Sequence, residues 1–366
     1  MSFISAFFNL LPVCKNKIVF YSFTHAYGDN PRPILEEMLR QKLPYKFVWV
    51  EANKKTVPVG VKCVRSKLRT WYEFSTARVI ITNARIGGYF GHGFCKKNNQ
   101  IYIQTWHGFA LKKIEGDAGN LAPKYMQKAK LDSKNMDYLL SNSRFLTQVY
   151  KSSFFYDGPI LEFGSPRNDC FFRTDPSLKK KLKQRLQLKN DEKVVLYAPT
   201  FRDNRKTDYA PLDYEVLKKS LIKKFGGKWR ILMRVHPNLL KQYNVANSKD
   251  MIDVSLYPDM ADLLLLSDVL VTDYSSCMFD FMLQGRPAFI YAPDVDKYSG
   301  DRGVYFPLTD TPFPVATDNN ELSKKIAGFS LKMYKVRLHQ FLHQKGFVED
   351  GKASERVVAL IKSILS

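Results

Sequence analysis

Short apolar runs alternate with amphipathic helical patterns along most of the chain. In the first half, the pattern predicts strands at 18–23, 45–50, 79–83, 101–106 and 137–142, and helices at 33–42 and 68–76. Apolar runs of this length separated by helices are typical of a parallel sheet with crossover helices. We therefore predict that the first half forms one α/β domain.

The second half repeats this rhythm after a highly charged helix predicted at 178–188. Strands are predicted at 194–199, 229–235, 269–273 and 287–293, and helices at 212–225, 260–266, 275–283, 319–327, 332–343 and 352–365. We place the domain boundary within 173–192. The expected architecture is two doubly wound, Rossmann-like domains, 1–175 and 176–366, facing each other across a central cleft.

Composition and charge narrow the function classes. Apolar residues make up 45% of the chain and charged residues 25%, which indicates a folded globular protein. The 57 lysines and arginines exceed the 35 aspartates and glutamates, so the net charge is +22. A surface this positive favours anionic partners: nucleic acid, an anionic membrane or a phosphorylated substrate.

Cysteine usage indicates a reducing compartment, and hydropathy predicts no membrane-spanning segment. The five cysteines are scattered and form no C-x-x-C pair. The most apolar run, Leu263–Leu266, lies between Asp262 and Asp268, far short of the roughly 18 to 20 residues that span a bilayer. The uncharged first fourteen residues lack a basic leader and a cleavage site, so no signal peptide is expected.

Polar residues that follow the predicted strands are the candidates for chemistry, because ligands bind at the carboxyl ends of strands in open α/β sheets. These residues are Thr105–Gly108 with Lys112 and Lys113, Thr200–Arg202, Arg234–Pro237, Asp273–Ser276 and Asp294–Tyr305. Ser275 and Ser276 would open a helix whose free N–H groups bind phosphate, or Ser275 would only cap that helix. Arg202 and Arg234 would neutralise a diphosphate, or each would pair with a surface carboxylate.

His107 is the stronger candidate for a general base, since it ends a predicted strand and precedes a glycine. Its alternative role is to cap a helix that begins at Gly108. For His236, a structural role is the alternative. The D-x-D spacing of Asp294 and Asp296 is weak evidence for a metal, and we favour a solvated or ribose-contacting loop there. The glycines of 87–93 do not form a dinucleotide-binding fingerprint.

Several motifs in this order resemble the CDP-glycerol glycerophosphotransferase family of teichoic acid synthesis. They are WHG with its lysine pair, GSPRND, YAPTFR, RVHP, VTDYSSCMFDF and RGVY, and the resemblance runs from KIVFYSF and GDNPR near residue 17 to about residue 306. It implies a GT-B fold. It also implies transfer of a polyol phosphate from a CDP-linked donor to a lipid-linked or polymeric acceptor, with release of CMP.

The resemblance implies site residues position by position. It makes His107 the base in the acceptor domain, places the donor diphosphate against Arg234, His236, Ser275 and Ser276, and puts Thr200 and Arg202 beside the same phosphates. Asp280 would meet the nucleotide ribose, or it would cap its helix or be buried in it. The expected site is completed by Lys112, Asp273, Arg302 and Gly303. No metal or other cofactor is required by this scheme.

Two departures from the family pattern concern acceptor or polyol choice. Phe109 and Ala110 stand where Thr-Pro is common after WHG, and Pro307 stands where an acidic residue often follows RG-x-Y. The length favours a primase-like or capsule-type member. Glycerol and ribitol donors are not separated by sequence, nor is a primase from a polymerase.

Two other functions remain open. A GT-B sugar transferase using a nucleotide sugar would share the basic residues, and a nucleic-acid binding protein has only the charge in its favour, so no nucleic-acid partner is expected. We expect a cytoplasmic enzyme, peripheral on the inner face of the membrane, with CDP-glycerol, the acceptor and anionic lipid as partners. Phe3, Phe7, Leu10 and Leu11 would form the apolar face of an interfacial helix, or the segment would pack on the second domain.

Overall fold

The chain folds into two compact units. The computed structural model describes residues 7–90, 94–119, 121–173, 175–200, 211–235, 251–295 and 303–366. Unit 1 comprises Met1–Gly108, Ile114–Arg173 and Lys345–Ser366, and unit 2 comprises Phe109–Lys113 and Thr174–Gln344. The chain passes from unit 1 to unit 2 between Arg173 and Thr174, at the start of the range 173–192 in which we placed the boundary.

Unit 1 contains a seven-stranded sheet in which all pairings are parallel, in the order β3-β2-β1-β4-β5-β6-β7. The strands are β1 (Cys14–Tyr21), β2 (Lys46–Val50), β3 (Lys62–Val64), β4 (Ala77–Thr82), β5 (Ile101–Gln104), β6 (Tyr138–Ser141) and β7 (Ile160–Glu162). The helices are α1 (Pro31–Arg40), α2 (Lys67–Thr76), α3 (Ile86–Phe90), α4 (Pro123–Asn135) and α5 (Arg144–Ser153), with 3-10 turns at Glu115–Ala118 and Pro166–Phe171.

Unit 2 is a six-stranded parallel sheet, ordered β10-β9-β8-β11-β12-β13. Its strands are β8 (Glu192–Ala198), β9 (Lys228–Met233), β10 (Met251–Asp253), β11 (Val269–Thr272), β12 (Ala288–Tyr291) and β13 (Val315–Ala316). Its helices are α6 (Pro176–Arg185), α7 (Tyr214–Phe225), α8 (Met260–Leu266), α9 (Cys277–Phe281), α10 (Asn319–Ala327) and α11 (Leu331–Lys345), with 3-10 turns at Met282–Gln284 and Leu308–Asp310.

Both sheets have the 3-2-1-4-5-6 order of a doubly wound nucleotide-binding fold, with a seventh strand added in unit 1. The two predicted Rossmann-like domains are therefore confirmed. Local sequence explains where the helices begin: the side chains of Ser143, Asp213 and Asp259 accept N–H bonds from the first turns of α5, α7 and α8. The central strands β4, β8, β11 and β12 are almost fully buried, as expected for a sheet covered on both faces.

The switch points of the two sheets are built in the same way. Tyr21 of β1 pairs with Thr82 of β4, and Ala198 of β8 pairs with Thr272 of β11. In unit 1, the side-chain oxygen of Asn83 accepts the main-chain N–H of Phe23 at 3.0 Å.

In unit 2, the carboxylate of Asp273 accepts the N–H of Thr200 at 2.9 Å. Asn83 and Asp273 occupy the same position relative to their strands, as do Phe23 and Thr200. In each sheet, an Asx side chain thus joins the two loops that diverge at the switch point.

The final helix, α12 (Ala353–Leu365), corrects the predicted domain ranges. We predicted the C-terminal helices within the second domain, 176–366, but residues 345–366 belong to unit 1. Val357 and Ile361 are fully buried in the unit-1 core. The buried carboxylate of Asp169 accepts the N–H groups of Ala353 and Ser354 at 3.0 and 2.8 Å, which fixes the first turn of the helix.

Several elements were not predicted. They are the short strands β3, β7, β10 and β13 and the helices α3 and α4. The strands have only two or three residues, too few to show a period-2 pattern, and α4 buries only a narrow stripe of its surface. No helix in the described parts of the chain is long and apolar enough to cross a membrane.

Candidate functional site

His107 lies in a sharp turn just after β5. Trp106 before it has φ +50°, in the left-handed region that few non-glycine residues adopt, and Gly108 after it has φ +150°. A side chain at position 108 would strain this backbone, which accounts for the glycine. No helix begins at Gly108. The alternative in which His107 caps such a helix is therefore wrong.

The ring of His107 is held by a hydrogen bond at one edge and by contacts with two aromatic rings. Its Nδ1 lies 2.7 Å from the main-chain oxygen of Asn83. Because a carbonyl oxygen only accepts, Nδ1 carries the proton and Nε2 keeps its lone pair. The ring stacks on that of Trp106, with the ring centroids 4.0 Å apart, and its centroid lies 4.6 Å from that of the Phe23 ring. This tautomer is the one that accepts a proton at Nε2.

Burial lowers the pKa of His107 below the usual value for histidine. The hydrogen bond to Asn83 and the nearby Asp29 oppose this effect, whereas Arg167 adds to it. The imidazole is therefore neutral at neutral pH. A neutral ring with a fixed tautomer is suited to general-base chemistry.

Two motifs without an assigned role hold this turn in place. Asn30 of GDNPR donates from Nδ2 to the main-chain oxygens of Thr105 and Trp106, at 3.2 and 2.9 Å. Arg167 of GSPRND donates from Nη1 to the main-chain oxygen of His107 at 2.7 Å. These residues escaped sequence reasoning because they act on the main chain of the turn. Their motif membership was the available signal.

In unit 2, the expected donor-site residues Thr200, Arg234 and Asp273 follow adjacent strands at one edge of the sheet. Thr200 and Arg234 are partly exposed, whereas Asp273 is only 3% exposed. Both carboxylate oxygens of Asp273 lie within 3.0 Å of the Thr200 N–H, and one also accepts the N–H of Tyr274. This geometry favours a role for Asp273 in shaping the loop over direct contact with substrate.

Ser275 and Ser276 stand at the start of α9 and are partly exposed. The N-cap residue of α9 is Ser276, which makes no side-chain capping bond, while the Oγ of Ser275 lies 3.4 Å from the N–H of Cys277, a long contact. Asp280 lies within α9 and is 4% exposed. The helix-buried alternative for Asp280 is thus the one that the structure favours.

Lys112 and Gly303, from two separate motifs, are joined by a short antiparallel bridge in unit 2. Lys112 pairs with Val304, Lys113 donates its N–H to Gly303, and Tyr305 donates its N–H to Leu111. Gly303 has φ +67°, and a Cβ there would lie 3.2 Å from Cδ of Lys113. The glycine of RGVY therefore permits both the turn and its close contact with the lysine pair.

The departure at Phe109 has a packing explanation. Phe109 is 1% exposed. Within unit 2, its ring centroid lies 4.7 to 6.3 Å from the ring centroids of Phe279, Phe306 and Phe341. A ring enclosed in this aromatic cluster does not reach an acceptor. The expectation that Phe109 alters acceptor choice is not supported by its position, whereas Pro307 is exposed.

Three predicted site residues, Arg202, His236 and Arg302, lie outside the described residues, as does Asp296. Asp294 accepts a hydrogen bond from the hydroxyl of Tyr274 at 3.1 Å. Within the described ranges, no group of three or more His, Cys, Asp or Glu residues is arranged to hold a metal ion.

A buried charge network in unit 1 was not foreseen. The guanidinium of Arg85 bonds the carboxylates of Glu115 and Asp132 at 2.9 and 3.4 Å, and also the hydroxyl of Ser133. Burial raises the pKa of Asp132 to about 6. The network joins the loop after β4 to α4 and to the 3-10 turn at Glu115–Ala118. It therefore connects chain segments that come before and after the His107 turn.

Comparison with known proteins places this geometry in context. The chain is 35% identical over 370 residues to a teichoic acid poly(glycerol phosphate) polymerase of Staphylococcus epidermidis, covering 94% of this chain and 50% of that protein. It is 31% identical to a polymerase of the same description from Bacillus spizizenii, covering 95% and 92%. The chain thus spans about half the length of the first relative and most of the second.

The fold is also that of a solved structure. A variant of the wall teichoic acid polymerase TagF, soaked with CDPG, matches with a TM-score of 0.87 and 32% identity, over 99% of this chain and 93% of that one. The GT-B-like fold class is confirmed. The family described as CDP-Glycerol:Poly(glycerophosphate) glycerophosphotransferase matches residues 3–363, well beyond the range of the motif resemblance. The chain belongs to the CDP-glycerol:poly(glycerophosphate) glycerophosphotransferase family.

Proposed function

We propose that the protein transfers glycerol phosphate from CDP-glycerol to a hydroxyl of a lipid-linked saccharide or a growing polyol-phosphate polymer, releasing CMP. The reaction would serve the synthesis of teichoic acid or a related cell-surface polymer. The observation that carries this proposal is His107, a neutral histidine whose proton is held on Nδ1 by Asn83, in a chain of this family.

The proposed step balances with few groups. The acceptor hydroxyl gives its proton to Nε2 of His107, and its oxygen attacks the phosphorus that bears glycerol. The bond from that phosphorus to the CMP oxygen breaks, and CMP leaves with the electron pair. Arg234 and His236, with Thr200, Arg202, Ser275 and Ser276, would bind the diphosphate and stabilise the charge that develops on CMP.

The function is tested by donor turnover. We expect CMP release from CDP-glycerol with a lipid-linked disaccharide or polyol-phosphate acceptor, insensitive to EDTA because no step in this scheme uses a metal. CDP-ribitol and a nucleotide sugar serve as alternative donors, and product length separates a primase from a polymerase. Turnover of the nucleotide sugar alone would contradict the proposal, as would salt-sensitive DNA binding with no turnover of any donor.

We also propose that the protein binds the inner face of an anionic membrane through its amino-terminal segment. Phe7 and Leu10 are 63% and 84% exposed, and Leu68 of α2 is 64% exposed. The ring of Phe8 stacks on Trp71, which joins the segment to α2 within unit 1. The described part of the segment therefore packs on α2 of unit 1.

Vesicle binding tests the membrane proposal. Replacing Phe7 and Leu10 together with serine should weaken sedimentation with anionic vesicles by about 10-fold, because two apolar side chains no longer enter the interface. Leu256→Ser is the control, since Leu256 is equally exposed but lies in unit 2. Equal binding by both variants would contradict the proposal.

A further inference from the structure

The turn that carries His107 leaves its main-chain oxygens without partners in a strand or helix. Trp106 and Gly108 both have positive φ, so this backbone lies outside the regular hydrogen-bonding patterns. Side chains supply the missing donors: Asn30 bonds the oxygens of Thr105 and Trp106, and Arg167 bonds the oxygen of His107. A strained turn of this kind persists only when its surroundings hold it.

Arg167 is itself held on both sides. Its Nη1 donates to the carboxylate of Asp29 at 3.0 Å, and its main-chain N–H donates to Oδ1 of Asn30 at 3.1 Å. The side chains of Arg167 and Asp29 are 9% and 15% exposed. One guanidinium nitrogen therefore connects the GDNPR loop to the oxygen of His107, with little access for water.

We propose that Arg167 and Asp29 form a positioning pair for His107, which holds the turn and sets the charge around its imidazole. Neither residue is proposed to touch substrate. The significance for catalysis rests on the proposed function, whereas the effect on the imidazole does not depend on which reaction the protein performs.

The two members of the pair act on the imidazole with opposite sign. Among the described residues, the charged groups that act on the His107 imidazole are Asp29 on the loop after β1, Arg167 on the 3-10 turn after β7 and Glu115 on the 3-10 turn after β5. Removing the positive charge of Arg167 stabilises the imidazolium and raises the pKa of His107. Removing the negative charge of Asp29 lowers it. A general loosening of the fold would move both variants in one direction, towards the value of exposed histidine.

The first measurement is an NMR titration of the His107 imidazole, assigned by its loss in His107→Gln. We expect Arg167→Gln to raise the pKa and Asp29→Asn to lower it, each by about half a unit or more. Arg167→Lys keeps the positive charge, so the pKa of His107 in this variant should stay close to the wild-type value. Shifts of the same sign in Arg167→Gln and Asp29→Asn would overturn the proposal that the two residues form a positioning pair. This outcome does not depend on which substrate the enzyme uses.

The second measurement is CMP release by the same variants. Misplacement of the base should lower kcat about 10- to 100-fold and leave KM for CDP-glycerol little changed, because the expected donor residues belong to unit 2. Arg356→Gln is the control: Arg356 also bonds a main-chain oxygen and a carboxylate, those of Phe163 and Asp350, but neither group belongs to the His107 turn. Unchanged kcat in Arg167→Gln would contradict the positioning role.

Discussion

Replacing His107 with glutamine should lower the rate of CMP release at least about 100-fold, while CDP-glycerol still binds. Glutamine retains an amide N–H but has no group that accepts a proton near neutral pH. His107 is partly exposed, and the glutamine amide can still donate to the main-chain oxygen of Asn83 that Nδ1 bonds. The loss should therefore appear in catalysis and not in folding.

The pH dependence gives an independent check on the same residue. Burial lowers the pKa of His107, and only the neutral ring accepts a proton at Nε2. Activity should therefore fall as pH decreases through a value below 6.5, the usual pKa of histidine, and the acid limb of kcat/KM should report that value. An acid limb centred above 6.5 would contradict the base assignment.

The measurement pairs turnover with equilibrium binding. CMP release and the Kd for CDP-glycerol are compared between wild type, His107→Gln and His339→Gln, the last because His339 is an exposed histidine of α11 with no proposed role. We expect His339→Gln to match wild type in both. Retention of near-wild-type turnover by His107→Gln would remove His107 as the base.

The sequence predicted the parallel sheets and the edge where Thr200, Arg234 and Asp273 gather. This was possible because buried strands leave continuous apolar runs, and parallel strands end at a common edge. What each side chain does at that edge was less predictable. The carboxylate of Asp273 accepts a hydrogen bond from the main-chain N–H of Thr200. This bond forms only because β8 and β11 are neighbours in the sheet, and no local sequence pattern predicts strand order.

The residues that orient His107 lay beyond sequence reasoning for a similar reason. Asp29, Asn83 and Arg167 are far apart in the chain and meet only when β1, β4 and the turn after β7 are assembled. The placement of α12 was missed because an amphipathic helix shows that it has an apolar face, but not which sheet that face covers. The bridge between Lys112 and Val304 likewise joins segments nearly two hundred positions apart.

Replacing Arg85 with methionine should lower the free energy of unfolding by about 3 to 5 kcal/mol at pH 7.5, the range typical of a broken buried ion pair. The Arg85 side chain is 7% exposed, and its partners Glu115 and Asp132 are 3% and 2% exposed. Methionine fills much of the same volume. It leaves two buried carboxylates without the cation that offsets their desolvation.

Protonation of Asp132 determines how the loss of stability in Arg85→Met changes with pH. Burial raises the folded-state pKa of Asp132 from 3.8 to about 6, so the folded state binds this proton more tightly than the unfolded state does. This carboxyl therefore opposes folding above pH 6, and its cost fades as pH falls towards 4. Without Arg85 the folded-state pKa rises further. The loss in Arg85→Met should thus be larger at pH 7.5 than at pH 5.5.

Guanidinium unfolding at the two pH values, followed by circular dichroism, measures this difference. Adding Asp132→Asn to Arg85→Met should recover part of the stability at pH 7.5, because one buried charge is removed, and should make the loss less dependent on pH. Arg356→Met is the control: its partner Asp350 is exposed, and such pairs contribute at most about 1 kcal/mol. Equal losses for Arg85→Met at both pH values would show that the carboxylates do not carry the cost, and that the network stabilises unit 1 by packing alone.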